Sequence, residues 1–197
     1  MKKLEIILKT TFLASLLILV MMVFSCKKET DKMEDTKEVA TDQNDQKFDN
    51  NDEREDDSAF LVAAAETDLM EIEIGKLAQT KGTHQGVKDF GKMLVDEHTK
   101  SANETKPLAE KLGVSLPTAI TDKGKEHYAD LNGKEAGKDF DQKFADMMVD
   151  GHEEAIRKME KAAKNGNSPE VQSWASAMLP SLKMHLDHAK KLQDELK

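Results

Sequence analysis

Four long stretches in which apolar residues recur at helical spacing, separated by two tight turns and one long link, constrain this chain more than any other feature. Phe60, Ala63, Ala64, Thr67, Met70, Ile74, Leu77 and Ala78 form the first stripe, and Val87, Phe90, Leu94, His98, Ala102, Thr105, Leu108 and Leu112 the second. Phe140, Phe144, Met148, His152, Ala155 and Met159 make the third. The fourth runs through Val171, Trp174, Ala175, Met178, Leu182, His185, Ala189, Leu192 and Leu196. Start and stop signals agree with these spans. Ser58 and Thr83 can act as N-caps, Gly82 and Gly113 as terminators, and Ser168-Pro169-Glu170 places a proline at a first helical position. The predicted helices are Ser58–Lys81, Thr83–Leu112, Glu135–Lys164 and one from Pro169 onward, with Pro107 and Pro180 as candidate bends. Residues 113–134 separate the second from the third and hold a short predicted helix over 121–132. That is chain enough to travel the length of a ~40 Å helix. Two hairpins joined by one long crossover make an all-α, ferritin-like four-helix bundle, with the crossover between helices 2 and 3.

The stripes carry polar intruders. A six-residue phrase occurs twice, as Met93-Leu94-Val95-Asp96-Glu97-His98 and Met147-Met148-Val149-Asp150-Gly151-His152, and each copy sets a histidine on an apolar face. Glu71 and His185 lie on the faces of the first and fourth helices. All four residues fall near the midpoint of their own helix, so they share a level in the bundle whichever way each helix runs. Burying such groups without partners costs several kcal/mol. Two solutions are open. The four bond to one another and to Asp96, Glu97, Asp150 or water, or they ligate a metal. Dinuclear carboxylate centres need a carboxylate three residues before the histidine, and Val95, Val149 and Leu182 stand there. Glu71, His98, His152 and His185 therefore suit a single Zn, Cu or Fe ion. His188, one turn from His185, is a candidate replacement ligand or rim residue, while His84 and His127 are expected at the surface. Met70, Met93, Met147, Met148, Met178 and Met184 read as adaptable core filler rather than thioether ligands.

The beginning of the chain speaks of location. Lys2 and Lys3 precede an apolar run from Phe12 to Phe24, too short to span a bilayer comfortably, and Cys26, the only cysteine, follows it. Val23-Phe24-Ser25-Cys26 resembles a bacterial lipobox, with Phe24 larger than the usual residue. Residues 1–25 are accordingly expected to be a lipoprotein signal peptide and Cys26 the lipidated first residue. Lys27 after it favours an outer-membrane destination. Residues 27–57 hold six basic against thirteen acidic residues, the larger part of the net charge of -9. With Met33, Val39, Ala40 and Phe48 as their main apolar residues, positions 26–57 are expected to form a disordered acidic tether reaching ~30 Å on average, and 58–197 the bundle. An acidic domain with no basic, aromatic-laced stripe weighs against nucleic acid as partner. No phosphate-cradling glycine loop and no Gly-x-Ser-x-Gly turn occurs, which weighs against the common enzyme classes and leaves no catalytic residue to name.

From Phe60 to about Leu192 the chain resembles the bacterial domain-of-unknown-function family 4142, ferritin-like proteins of the exported and outer-membrane kind. The resemblance rests on Glu71-Ile72-Glu73-Ile74-Gly75-Lys76-Leu77-Ala78, on Val87-Lys88-Asp89-Phe90-Gly91-Lys92 leading into the first phrase, on Phe140 with the second phrase, and on Leu179-Pro180-Ser181-Leu182-Lys183-Met184-His185-Leu186. It implies a ferritin-like fold and correspondence of Glu71, His98, His152 and His185 with the family's inward glutamate and histidines. It implies no activity. The expectation is an envelope lipoprotein of unassigned activity, serving a structural role or an interaction with another envelope protein, with a mononuclear metal module as the alternative. Cys26→Ala should abolish fatty-acid labelling and release the protein from membranes. Wild type without lipid, fractionating as the variant does, would contradict the anchor.

Overall fold

The computed structural model describes residues 34–197, and the export segment and Cys26 lie outside them. Among the described residues six helices follow one another: α1 Thr36–Phe48, α2 Asp52–Lys81, α3 Gln85–Leu112, α4 Asp122–Asn132, α5 Lys138–Asn165 and α6 Pro169–Glu195. There is no strand among the described residues, and no helix there is long and apolar enough to cross a membrane. Helices α2 and α3 pack as one hairpin and α5 and α6 as another, and the crossover that joins them carries α4 against α2 and α5. The bundle is all-α, with its long crossover in the expected place.

Both hairpin turns are locked by a carboxylate from the opposite hairpin. Asp141, in the first turn of α5, accepts hydrogen bonds from the Thr83 and His84 backbone amides and from the Thr83 hydroxyl. Asp57, in the second turn of α2, accepts from the amides of Asn167 and Ser168 at 2.7 and 2.8 Å. Each places a buried negative charge where a following helix exposes unpaired N–H groups, the favourable end of its dipole. The same number of residues separates Asp57 from Asp141, Gly82 from Gly166 and Val87 from Val171. The two hairpins are therefore copies of one design. The repeated six-residue phrase does not follow that relation, since it equates α3 of the first hairpin with α5 of the second.

Sequence signals locate most helix ends. Ser168 caps α6 and Gly113, with φ of 70°, ends α3. Two ends differ. His84, not Thr83, caps α3, because Thr83 turns its hydroxyl to Asp141 and the His84 ring accepts from the Gly86 amide. Helix α2 begins at Asp52 with Asn51 as its cap, more than a turn before Ser58. Where α2 and α3 cross, a Cβ at Gly75 would stand 2.6 Å from the Gly91 carbonyl oxygen, and one at Gly91 2.7 Å from that of Gly75. Only glycine at both positions allows the backbones so close.

The acidic segment expected as a tether is folded over its described part. Helix α1 buries Ala40, Asn44 and Phe48, four residues apart on one face, while its carboxylates face water. Asn44 accepts from the Ser115 amide at 2.7 Å and donates to the Ser115 carbonyl at 2.9 Å, so α1 supplies the crossover's backbone with partners. Thr36 donates to the Ala119 carbonyl, Lys37 pairs with buried Glu66 at 2.7 Å, and the Arg54 guanidinium lies 4.2 Å over the Phe48 ring. Domain 58–197 is thus too short at its start. The segment's few apolar residues do not offset its ordering entropy by themselves, and the polar bonds that help them, to a segment about seventy residues away in sequence, have no local signature. Phe48→Ala should cost about 3 kcal/mol in urea unfolding, the range for emptying a buried aromatic site. A loss within a few tenths of a kcal/mol would restore the tether.

Candidate metal centre

Midway along the bundle the apolar core is interrupted. One cluster, around Phe90, Phe140, Phe144 and Met148, fills the end near the α2–α3 turn; another, around Leu61, Met159, Val171 and Trp174, fills the opposite end. Between them His98 from α3, His152 from α5 and His185 from α6 meet, each 1–3% exposed. Ring centroids stand 6.0 Å apart for His98 and His152, 5.6 Å for His98 and His185, and 5.3 Å for His152 and His185. One nitrogen from each ring lies within 4.8 Å of the others. Two ligands of one Zn²⁺ can stand at most ~4.2 Å apart at bond lengths near 2.1 Å, so closing on an ion takes ring movements under ~1 Å.

Two of the rings are held from behind. His98 donates from Nδ1 to Asp68 at 2.8 Å, and Asp68 also accepts from the Ser101 hydroxyl at 2.9 Å. His152 donates from Nδ1 to the carbonyl of Met148, one turn earlier in α5, at 2.8 Å. These bonds fix the tautomers and direct each Nε2 inward, the arrangement that holds imidazole ligands in metal sites. His98 Nε2, His152 Nε2, both nitrogens of His185 and Oε2 of Glu71 are buried with no hydrogen-bond partner. Five such atoms at one level, in a core whose other polar groups are paired, are costly unless something binds them.

The three rings differ electrostatically. Burial lowers the His152 pKa, against the raising influence of Glu71. Burial, then the neighbouring histidines, takes His185 from its usual value down to about 3. Both are neutral at pH 7 and ready to give lone pairs. Burial also opposes the charged form of His98, but the Asp68 hydrogen bond and the charges of Glu71, Asp68 and Glu97 outweigh it and raise its pKa. Asp68, deprived of water, is raised as well, with His98 and Ser101 opposing the shift. An ion bound at His98 would therefore displace a proton held more firmly than on an ordinary histidine.

The sequence-derived set is gathered only in part. Glu71 is buried and close enough to act on both His98 and His152, but its carboxylate falls outside the group whose ligand atoms lie within 4.8 Å. Asp96 points to solvent and pairs with Lys92, Asp150 is exposed, and Glu97 reaches only the Ser181 hydroxyl at 3.5 Å. None of them supports a histidine by hydrogen bond. His188 is exposed against the edge of Phe90, outside the triad. His127 is exposed as expected, whereas His84 is half-buried at its cap. The residue overlooked was Asp68. It lies off the stripe assigned to the first helix, on the side that packs against α3, where it meets His98 and Ser101. A carboxylate three residues before Glu71 was the available signal.

A family model described as a domain of unknown function, DUF4142, matches residues 37–192. The chain belongs to this family. The match begins inside α1, in accord with that helix being part of the domain rather than a spacer. No curated protein matches the chain. A solved structure described as "CopM in the Cu(II)-bound form" is similar in fold, with a TM-score of 0.60 and 15% sequence identity over 72% of this chain and 97% of the other.

The ionisations dictate how the metal-free protein responds to acid. A histidine lowered by folding takes up its proton only on unfolding, so His152 and His185 lose stability for the fold as pH drops below ~6.5. His98 acts in the opposite sense: its contribution is complete below ~6.5 and is lost as pH rises through its raised value. Between pH 7 and 5, His185 alone should account for about 2 kcal/mol of lost stability. His185→Gln should flatten that part of the curve in urea titrations of the chelated protein. Asp68→Asn, which removes the strongest support of charged His98, should steepen it.

Proposed function

We propose that the bundle is a metal-binding module of the cell envelope which holds one divalent transition-metal ion at His98, His152 and His185. The observation that carries this reading is the set of buried, unpartnered nitrogens converging from three helices, two of them aimed by hydrogen bonds at their far sides. A histidine core kept for structure alone would bond its inward nitrogens to one another, to backbone or to buried water, and in this geometry they reach neither one another nor backbone. Glu71 would supply negative charge beside the ion rather than close the triad. Three imidazoles without a thiolate fit Cu²⁺ or Zn²⁺, and the Irving–Williams order favours copper between the two. The fold shared with a copper-bound protein makes copper the first ion to test. Anchoring through Cys26 would hold the module at the membrane, and the site's chemistry points to binding or carrying an ion.

Calorimetric titration of chelator-stripped protein should find one equivalent of Cu²⁺ bound more tightly than ~10 μM, with release of protons. The melting temperature should rise with metal concentration by mass action. His152→Ala should lose most of the affinity. Absence of a saturable site for Cu²⁺ and Zn²⁺ would reject the module and leave a structural bundle.

A further inference from the structure

The triad lies between two cavities of different character. Glu71, with Met147, Met148 and Asp150, lines one on the α2–α4–α5 side. On the α3–α6 side a separate cavity of about 110 Å³ has His98 and His185 among its walls, with Trp174, Met159, Met178 and Ala63 as apolar lining. Its exposed residues Lys100, Glu104 and Ala177 mark the mouth, while the buried ones lie at the histidines. The size is informative, because an apolar cavity of ~150 Å³ accepts benzene. One five-membered ring fits.

Resting on the three-histidine reading above, we propose that this cavity is a binding site for a small neutral azole, whose nitrogen takes a fourth coordination position on the ion. Three protein ligands leave a divalent ion at least one position open to an outside molecule, and two of those ligands form the cavity's inner wall. Apolar walls favour a flat ring over a hydrated molecule. The charged groups select against anions: buried Asp68 and half-buried Glu97 line the cavity, Lys100 and Glu104 offset each other at its mouth, and Lys158 is paired with Glu154. His185 adds a polar contact, since the nitrogen it does not give to the ion has no protein partner. Binding is ligand substitution at the ion, with no change of oxidation state.

The test uses the copper-loaded protein, freed of excess metal by gel filtration, and imidazole and azide as probes. Imidazole should shift the visible copper band saturably while the metal stays with the protein, and azide should bind at least tenfold more weakly. Ala63→Leu, which fills the cavity, and Ala177→Leu, which narrows its mouth, should each weaken imidazole binding tenfold or more with copper affinity changed less than threefold. Two variants at different depths guard against one that misfolds, and helicity by circular dichroism checks both. A protein that loads copper but shows no imidazole response, or whose leucine variants bind imidazole as wild type does, overturns the azole site alone. Equal binding of azide overturns the selection for neutral ligands. Failure to load copper or zinc at all overturns the metal reading, and this proposal with it.

Discussion

Everything about this bundle turns on the polar layer that divides its core. Three imidazoles and two carboxylates are buried where four helices could have packed leucine, and the apolar residues segregate into one cluster on either side. Such a layer is expensive: each unpartnered buried atom carries a desolvation cost of roughly 1 to 3 kcal/mol. Its geometry is held from outside. Asp68 is pinned by Ser101, His98 by Asp68, and His152 by its own helix, so the inward nitrogens are set before any ion arrives. Pre-organisation of this kind lowers the cost of binding, and it explains why the support of the rings deserves as much notice as the rings themselves.

The frame around the layer is built twice, and the site is not. Asp57 and Asp141 tie the two hairpins together by the same bond pattern at opposite ends of the bundle. At the middle the copies diverge: the separation that relates those aspartates also relates Asp68 to His152 and Ser101 to His185. One hairpin contributes the carboxylate and hydroxyl where the other contributes two imidazoles. A symmetric frame thus carries an asymmetric centre, with ligands concentrated on one side and their electrostatic support on the other.

Helix α1 bears on the stability of that frame rather than on the chemistry. It covers the start of the crossover, satisfying Ser115 on both its backbone groups and neutralising buried Glu66 through Lys37. Glu66 in turn accepts from the Thr121 hydroxyl at the N-cap of α4. The long connection, the least regular part of the domain, is therefore fastened at several points by a segment whose composition looks like that of a spacer.

The amino-acid sequence by itself determined the four long helices, their stops, the hairpin pairing and the crossover, because helical periodicity and glycine or serine boundaries are local properties. It also singled out His98, His152 and His185, since a titratable group on an apolar stripe at mid-helix has few places to go but a shared buried level. Only the tertiary structure decided what surrounds them. Asp68 became buried because the covered face of α2 extends to the side that packs against α3, and Glu71 stands beside the triad rather than in it because side-chain reach depends on helix rotation, which spacing along one helix does not define. Likewise Asp96 and Asp150, adjacent to histidines in sequence, point to water, as residues one or two positions apart on a helix face different ways. Contacts between distant segments, such as Asn44 with Ser115, leave no trace in local pattern, and they turn the acidic segment after Glu34 from spacer into fold.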